Sequence, residues 1–136
     1  MIYEATITYV TVDKNGNDKQ DKSMYVIEGC EVFAEVENML YERFSGENSL
    51  DVVAIKRSKI KEIANTRKYE DEKVYLSEVE DVYTDDNGEE KSLRYKILFY
   101  AKDFDSAKVF ITEFIKQGFN MTLVGLKLTK FDDVIK

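Results

Sequence analysis

The sequence predicts an α+β fold in which a ββαβ unit is duplicated in tandem, giving six mainly antiparallel strands with two helices packed on the sheet. Three observations lead there. Residues 1–64 lie over residues 73–136: at an offset of 72, Ile2-Tyr3 falls on Val74-Tyr75, Ile7 on Val79, Val10 on Val82 and Lys19 on Lys91. After one deletion the offset is 71, and Phe33 falls on Phe104, Leu40 on Ile111, Val53 on Val124 and Ile55-Lys56 on Leu126-Lys127. Each half also carries an Asn-Gly pair between two β-rich runs, followed by an apolar pattern of helical spacing. Hairpin, helix and lysine-bearing strand recur in one order, which chance similarity between strand-rich segments does not supply.

The elements follow in order. Ile2 to Val12 alternates with Tyr3, Ala5, Ile7 and Tyr9 on one face, as a half-buried strand does. Asp13-Lys14-Asn15-Gly16-Asn17 predicts a hairpin, because Asn and Gly both accept positive φ. The return strand is expected near Ser23 to Glu28, with Met24 and Val26 on one face. A helix is expected from Val32 to Phe44, since Phe33, Val36, Leu40 and Phe44 recur at three- and four-residue spacing. Ser45-Gly46-Glu47-Asn48 ends it, with the glycine as a left-handed cap. A third strand begins near Leu50, with Val53 and Ile55 pointing one way. A right-handed crossover sets it parallel to the second strand and beside the first.

In the second half the same logic gives strands Val74 to Thr84 and Leu93 to Ala101 around Asp85-Asp86-Asn87-Gly88. It then gives a helix from Asp103 to Gln117, N-capped by Asp103 and C-capped by Gly118, and a strand from Met121 to Thr129. Residues 65–72 form a polar connector between the copies. A repeat of roughly 64 residues buries little surface by itself, so the copies are expected to share a core as a single domain over residues 1–136. Whether the strands join in one sheet or pack as two is open at this stage.

Composition narrows the chemistry. The chain has a formal net charge of −7, 43% hydrophobic residues, one cysteine, and no histidine, proline or tryptophan. It therefore has no imidazole base, no Ser-His or Cys-His nucleophile pair and no histidine metal ligand. No apolar run approaches the ~18 residues of a membrane span, and Met1-Ile2-Tyr3-Glu4 does not open a signal peptide, so a cytoplasmic location is expected. The abundance of Lys, Asn, Ile and Tyr fits an AT-rich coding sequence.

Tyr3 through Tyr9, the Asn15-Gly16 turn, Met24-Tyr25-Val26 leading to Phe33-Ala34-Glu35, and Val53-Ala54-Ile55-Lys56-Arg57 followed by Glu62-Ile63 resemble domain-of-unknown-function family 4494. The resemblance covers most of the chain. It implies a genomic context in Bacteroidota and their phages, including crAss-like phages, and it implies no particular activity.

Three groups of residues are candidates for function. The basic segment around Lys56, Arg57, Lys59 and Lys61 is echoed by Lys127 and Lys130. Charges at ~3.4 Å per residue along a strand can follow successive anions, which makes these six a candidate anion, nucleotide or nucleic-acid site. The competing explanation is a solvated strand end whose lysines discourage edge pairing. Tyr25, Lys96 and Tyr100 are the candidates for an interaction face if the helices leave one side of the sheet open, against the alternative that the tyrosines pack internally. The acidic stretch from Glu70 to Glu90 lacks the spacing of a calcium loop, and neither a metal site nor a cofactor is expected. Cys30 falls on Ala101, a small residue at the strand-to-helix junction, and has no base to activate it.

The leading expectation is a non-enzymatic binding or interaction protein of phage or mobile-element type, in an accessory, virion-associated or counter-defence role. It would have a protein partner, no membrane, and self-association left open. The alternative is a nucleotide- or nucleic-acid-binding protein that uses the lysine-rich third strands; an enzyme ranks third.

Overall fold

A computed structural model describes residues 1–118 and 120–136. In chain order the elements are β1 (Ile2–Val12), β2 (Asp18–Glu28), α1 (Phe33–Arg43), β3 (Asn48–Arg57), β4 (Ile60–Ile63), β5 (Lys73–Thr84), β6 (Glu90–Ala101), α2 (Phe104–Ile115), β7 (Met121–Leu128) and β8 (Asp133–Ile135). The class is α+β as expected, but eight strands rather than six form two separate four-stranded sheets, ordered β3-β1-β2-β8 and β4-β6-β5-β7. The two added strands have four and three residues, too short for an alternating pattern to stand out.

Two compact units result, residues 1–58 with 131–136, and residues 59–130. Each is described by itself. In both, the first three strands come from one half of the chain and the fourth from the other. In the first unit β8 lies parallel on β2, with Tyr25 opposite Asp133, Val26 opposite Val134 and Ile27 opposite Ile135. In the second, β4 lies parallel on β6, with Ile63 opposite Leu98. The third strands behave as the crossover rule requires: β3 pairs antiparallel with β1, and β7 with β5.

The hairpins obey the turn signals with a different geometry. Asp13 N–H donates to Asn17 O at 2.9 Å, and only Gly16 takes positive φ, at 79°, so each loop spans five residues and Asn15 keeps ordinary backbone. Asp13 Oδ1 accepts from Asn15 and Asn17 N–H, and Asp85 does the same for Asn87 and Glu89. These Asx contacts select the longer turn. With the loops closed so tightly, β2 and β6 begin well before the expected Ser23 and Leu93.

Strand register locates the deletion between the halves. Tyr3 faces Ile27 and Tyr75 faces Phe99, so the offset of 72 holds through β2 and β6. The extra residue of the first half lies at the strand-to-helix junction, where Gly29 adopts φ 100° and lets Cys30 turn into the core. Consequently Tyr25 corresponds to Ile97, and Lys96 to Met24. A one-residue slip in a strand exchanges its faces, so this placement decides which side chains look away from the helix.

A second parity change lies in the edge strands. Ile7 faces Val52 while Thr6 faces Ala54, which leaves Val53 as a bulged residue, 51% exposed. Val53 and Ile55 therefore do not share a face; Leu50, Val52 and Ile55 point inward. Val124 is bulged at the matching position. Neither Gly46 nor Gly118 is a left-handed cap: among the described residues outside the turns, positive φ falls to Gly29, Ser49 and Asn120. A Cβ at Gly118 would lie 2.1 Å from Met121 Sδ, so that flexible side chain would have to shift.

The first core packs Tyr3, Ala5, Ile7 and Ile27 of the sheet against Val36 and Leu40 of α1, with Ile135 of β8 closing it. The second packs Tyr75, Val79, Ile97 and Phe99 against Ala107, Ile111 and Ile115 of α2. Each large side chain fully removed from water contributes roughly 1.5–3 kcal/mol. The helices start differently. Asp103 accepts from Ser106 N–H at 2.7 Å, whereas Val32 at the N-cap of α1 offers no side-chain bond.

Candidate functional site

The six basic residues of the predicted anion site do not form one array. β3 ends at Arg57 in the first unit, while Lys59, Lys61, Lys127 and Lys130 belong to the second. Lys56 lies 3.8 Å from Glu4 across the β1–β3 pair, a neutralised and exposed ion pair. Lys61 Nζ sits 4.1 Å above the Tyr95 ring. Lys59 and Lys130 are exposed residues at the two points where the chain passes between units.

Lys127 is placed differently. It lies on β7 opposite Leu76 of β5, which offers it no carboxylate. Leu76, Glu78, Lys96, Gly125 and Lys127, with backbone from Ser77 and Leu126, line a cleft of about 310 Å³. Its position on the sheet follows from alternation. Tyr95, Ile97 and Phe99 point to α2, so Lys96, Leu98 and Tyr100 point to the opposite face. Glu78 stands between Lys96 and Gly125 in one cross-strand row. Two strand spacings and two residues separate Lys96 from Lys127, about 12 Å between Cα atoms. Among the described residues, neither ammonium has a carboxylate within 4.0 Å. Gly125 contributes room: a Cβ there would meet Glu78 Cβ only at 3.9 Å.

The three residues of the expected interaction face separate. Tyr25 points to α1 and stacks on Phe44 at 5.0 Å, and burial raises the pKa of its hydroxyl. Tyr100 is 3% exposed. Asn65 brackets its backbone, accepting from Tyr100 N–H at 2.7 Å and donating to its carbonyl at 3.1 Å. The Arg67 guanidinium lies 4.8 Å from the Tyr100 ring. Only Lys96 reaches the cleft. The connector is thus a built segment, in which the Glu72 carboxylate accepts from Tyr69 and Lys68 N–H, bonds that lower its pKa.

Sequence reasoning passed over Leu76, Glu78 and Gly125. The signal for Gly125 was its place inside a strand, where glycine often marks a close approach or a gap. The signal for Leu76 appears only once its counterpart, Glu4, is seen to neutralise Lys56. Burial raises the pKa of the Cys30 thiol, and among the described residues no three acidic or cysteine side chains are grouped to hold a metal ion. Among those residues, too, no helix is long and apolar enough to cross a membrane.

The chain belongs to the family described as a domain of unknown function, DUF4494, whose sequence model matches residues 1–136. No curated protein and no solved structure matches it.

Proposed function

We propose that this is a non-enzymatic binding protein that takes a small anionic molecule, nucleotide-sized or smaller, in the cleft between Lys96 and Lys127. The observation that carries the reading is a concave site lined by Lys96 and Lys127, neither of which has a carboxylate within 4.0 Å among the described residues, so that with Glu78 the cleft keeps a net positive charge. A volume of about 310 Å³ is at the small end for ligand sites and fits a compact molecule better than a polymer. Glu78, opposite Lys96 in the same row, leaves the cleft one net positive charge, which suits a small anion and keeps its affinity modest. The non-enzymatic part is supported by the absence of histidine and the buried Cys30 thiol. The matched halves support a tandem duplication, and the family resemblance supports a phage or mobile-element context.

Titration calorimetry at low salt with inorganic pyrophosphate and with a nucleoside diphosphate tests the site. Binding should weaken at least tenfold in both Lys96→Gln and Lys127→Gln, and stay within twofold in Lys56→Gln. Equal affinity of all three variants, or no binding of either probe at millimolar concentration, would sink the proposal.

A further inference from the structure

The fourth strand of each sheet is its shortest and comes from the other half of the chain, yet it is held at specific points. β8 has three residues, yet Ile135 is 3% exposed in the first core. Asp132, just before it, grips Met24 twice: its N–H donates to Met24 O at 2.7 Å, and its carboxylate accepts from Met24 N–H at 2.8 Å. In the second unit Ala64 N–H donates to Leu98 O at 2.8 Å, and Asn65 repeats the two-point grip on Tyr100. In both, one residue beside the strand extends the parallel ladder by two bonds, Asp132 just before β8 and Asn65 after β4, so a short segment is held by backbone bonds plus one apolar anchor, as in strand addition.

We infer that the edge of β2 is a strand-acceptor site for residues 131–136, and the edge of β6 one for residues 59–65, each working between separate polypeptides as well as within one. The partner each edge fits is the other half of this same sequence, supplied in the intact chain by its own tail and otherwise by a second copy. Nothing in the pairing draws on covalent continuity through the connector, whose exposed turn at Glu70-Asp71 lies outside every strand. Covalent linkage supplies effective concentration only.

The test keeps the whole chain and inserts a protease recognition sequence between Glu70 and Asp71. After cleavage the two pieces should co-elute at the mass of the intact chain, with an unfolding midpoint that now rises with protein concentration. Ile135→Asp in the cleaved protein should weaken association at least tenfold. Because that change also disturbs the first core, Asp132→Ala serves as the milder probe. It removes the carboxylate grip on Met24 and should weaken association several-fold with an unchanged helical signal. Pieces of the unmutated protein that separate, or cleaved Ile135→Asp and Asp132→Ala proteins that associate as tightly as unmutated pieces, would overturn the inference.

Discussion

The cleft of the second unit has a counterpart in the first, built on the same register with different side chains. Where the second unit has Leu76, Glu78, Lys96, Gly125 and Lys127, the first has Glu4, Thr6, Met24, Ala54 and Lys56. Lysine stands at the end of the third strand in both. In the first unit Glu4 neutralises it, a methionine replaces the second lysine, and an alanine methyl takes up the gap. One backbone therefore carries a charge-balanced face and one with a net positive charge, two lysines against one carboxylate. The recurrence of lysine reflects shared geometry, and the residues around it decide whether it is available.

The largest expected effects lie in the cores the two faces share. Phe99, fully buried against Tyr75 and Phe110, should cost about 3–5 kcal/mol on change to alanine, and its counterpart Ile27 about 2–5 kcal/mol. Urea denaturation reads both; a loss below about 1 kcal/mol at Phe99 would mean the aromatic cluster is not the second core. Next, Leu76→Glu gives the second unit the ion pair of the first. Anion affinity should fall at least tenfold while stability moves by no more than about 1 kcal/mol, the range of an exposed pair. Unchanged affinity in calorimetry would separate Lys127 from the site.

Smaller differences sharpen the comparison at the helix starts. Val32→Asp should stabilise α1 by about 0.5–1 kcal/mol by supplying the cap that α2 already has, whereas Asp103→Ala should destabilise α2. Thermal melts of the two variants should shift in opposite directions. The smallest effect is in acid. Hydrogen bonds from backbone N–H groups hold the Glu72 and Asp103 carboxyls below their ordinary values. A depressed carboxyl contributes stability above its unfolded pKa and loses it as pH falls through the folded value. Stability measured from pH 6 downward should therefore decline below the usual carboxylate range, and Glu72→Gln should decline less steeply. An identical acid profile for that variant would remove Glu72 from the account.

Much of the fold was legible because its signals are local. The alternation of Ile2 to Val12, the Asn-Gly turns, the apolar spacing of Val36 and Leu40, and the Asp103 cap each act within a few residues. What escaped depends on distant partners. β4 and β8 are strands only because the edges of β6 and β2 accept them. The bulges at Val53 and Val124 reverse a face pattern that plain alternation extends. The junction at Gly29 could be placed only from pairing, and pairing alone shows that Tyr25 faces its helix while Lys96 faces away from its own. The basic run from Lys56 to Lys61 read as one patch because nothing within it marks the passage from one sheet to the other. Of the candidate site, Lys96 and Lys127 were legible as cations; that they share a cleft with Glu78 and Gly125 follows only from cross-strand register.

The exchange of fourth strands is the central claim, and proton–proton contacts in a nuclear Overhauser spectrum test it most directly. The account predicts contacts between Val134 and Val26, and between Ile63 and Leu98. Contacts of Val134 with Leu98 and of Ile63 with Val26, in which each half keeps its own tail, would contradict it.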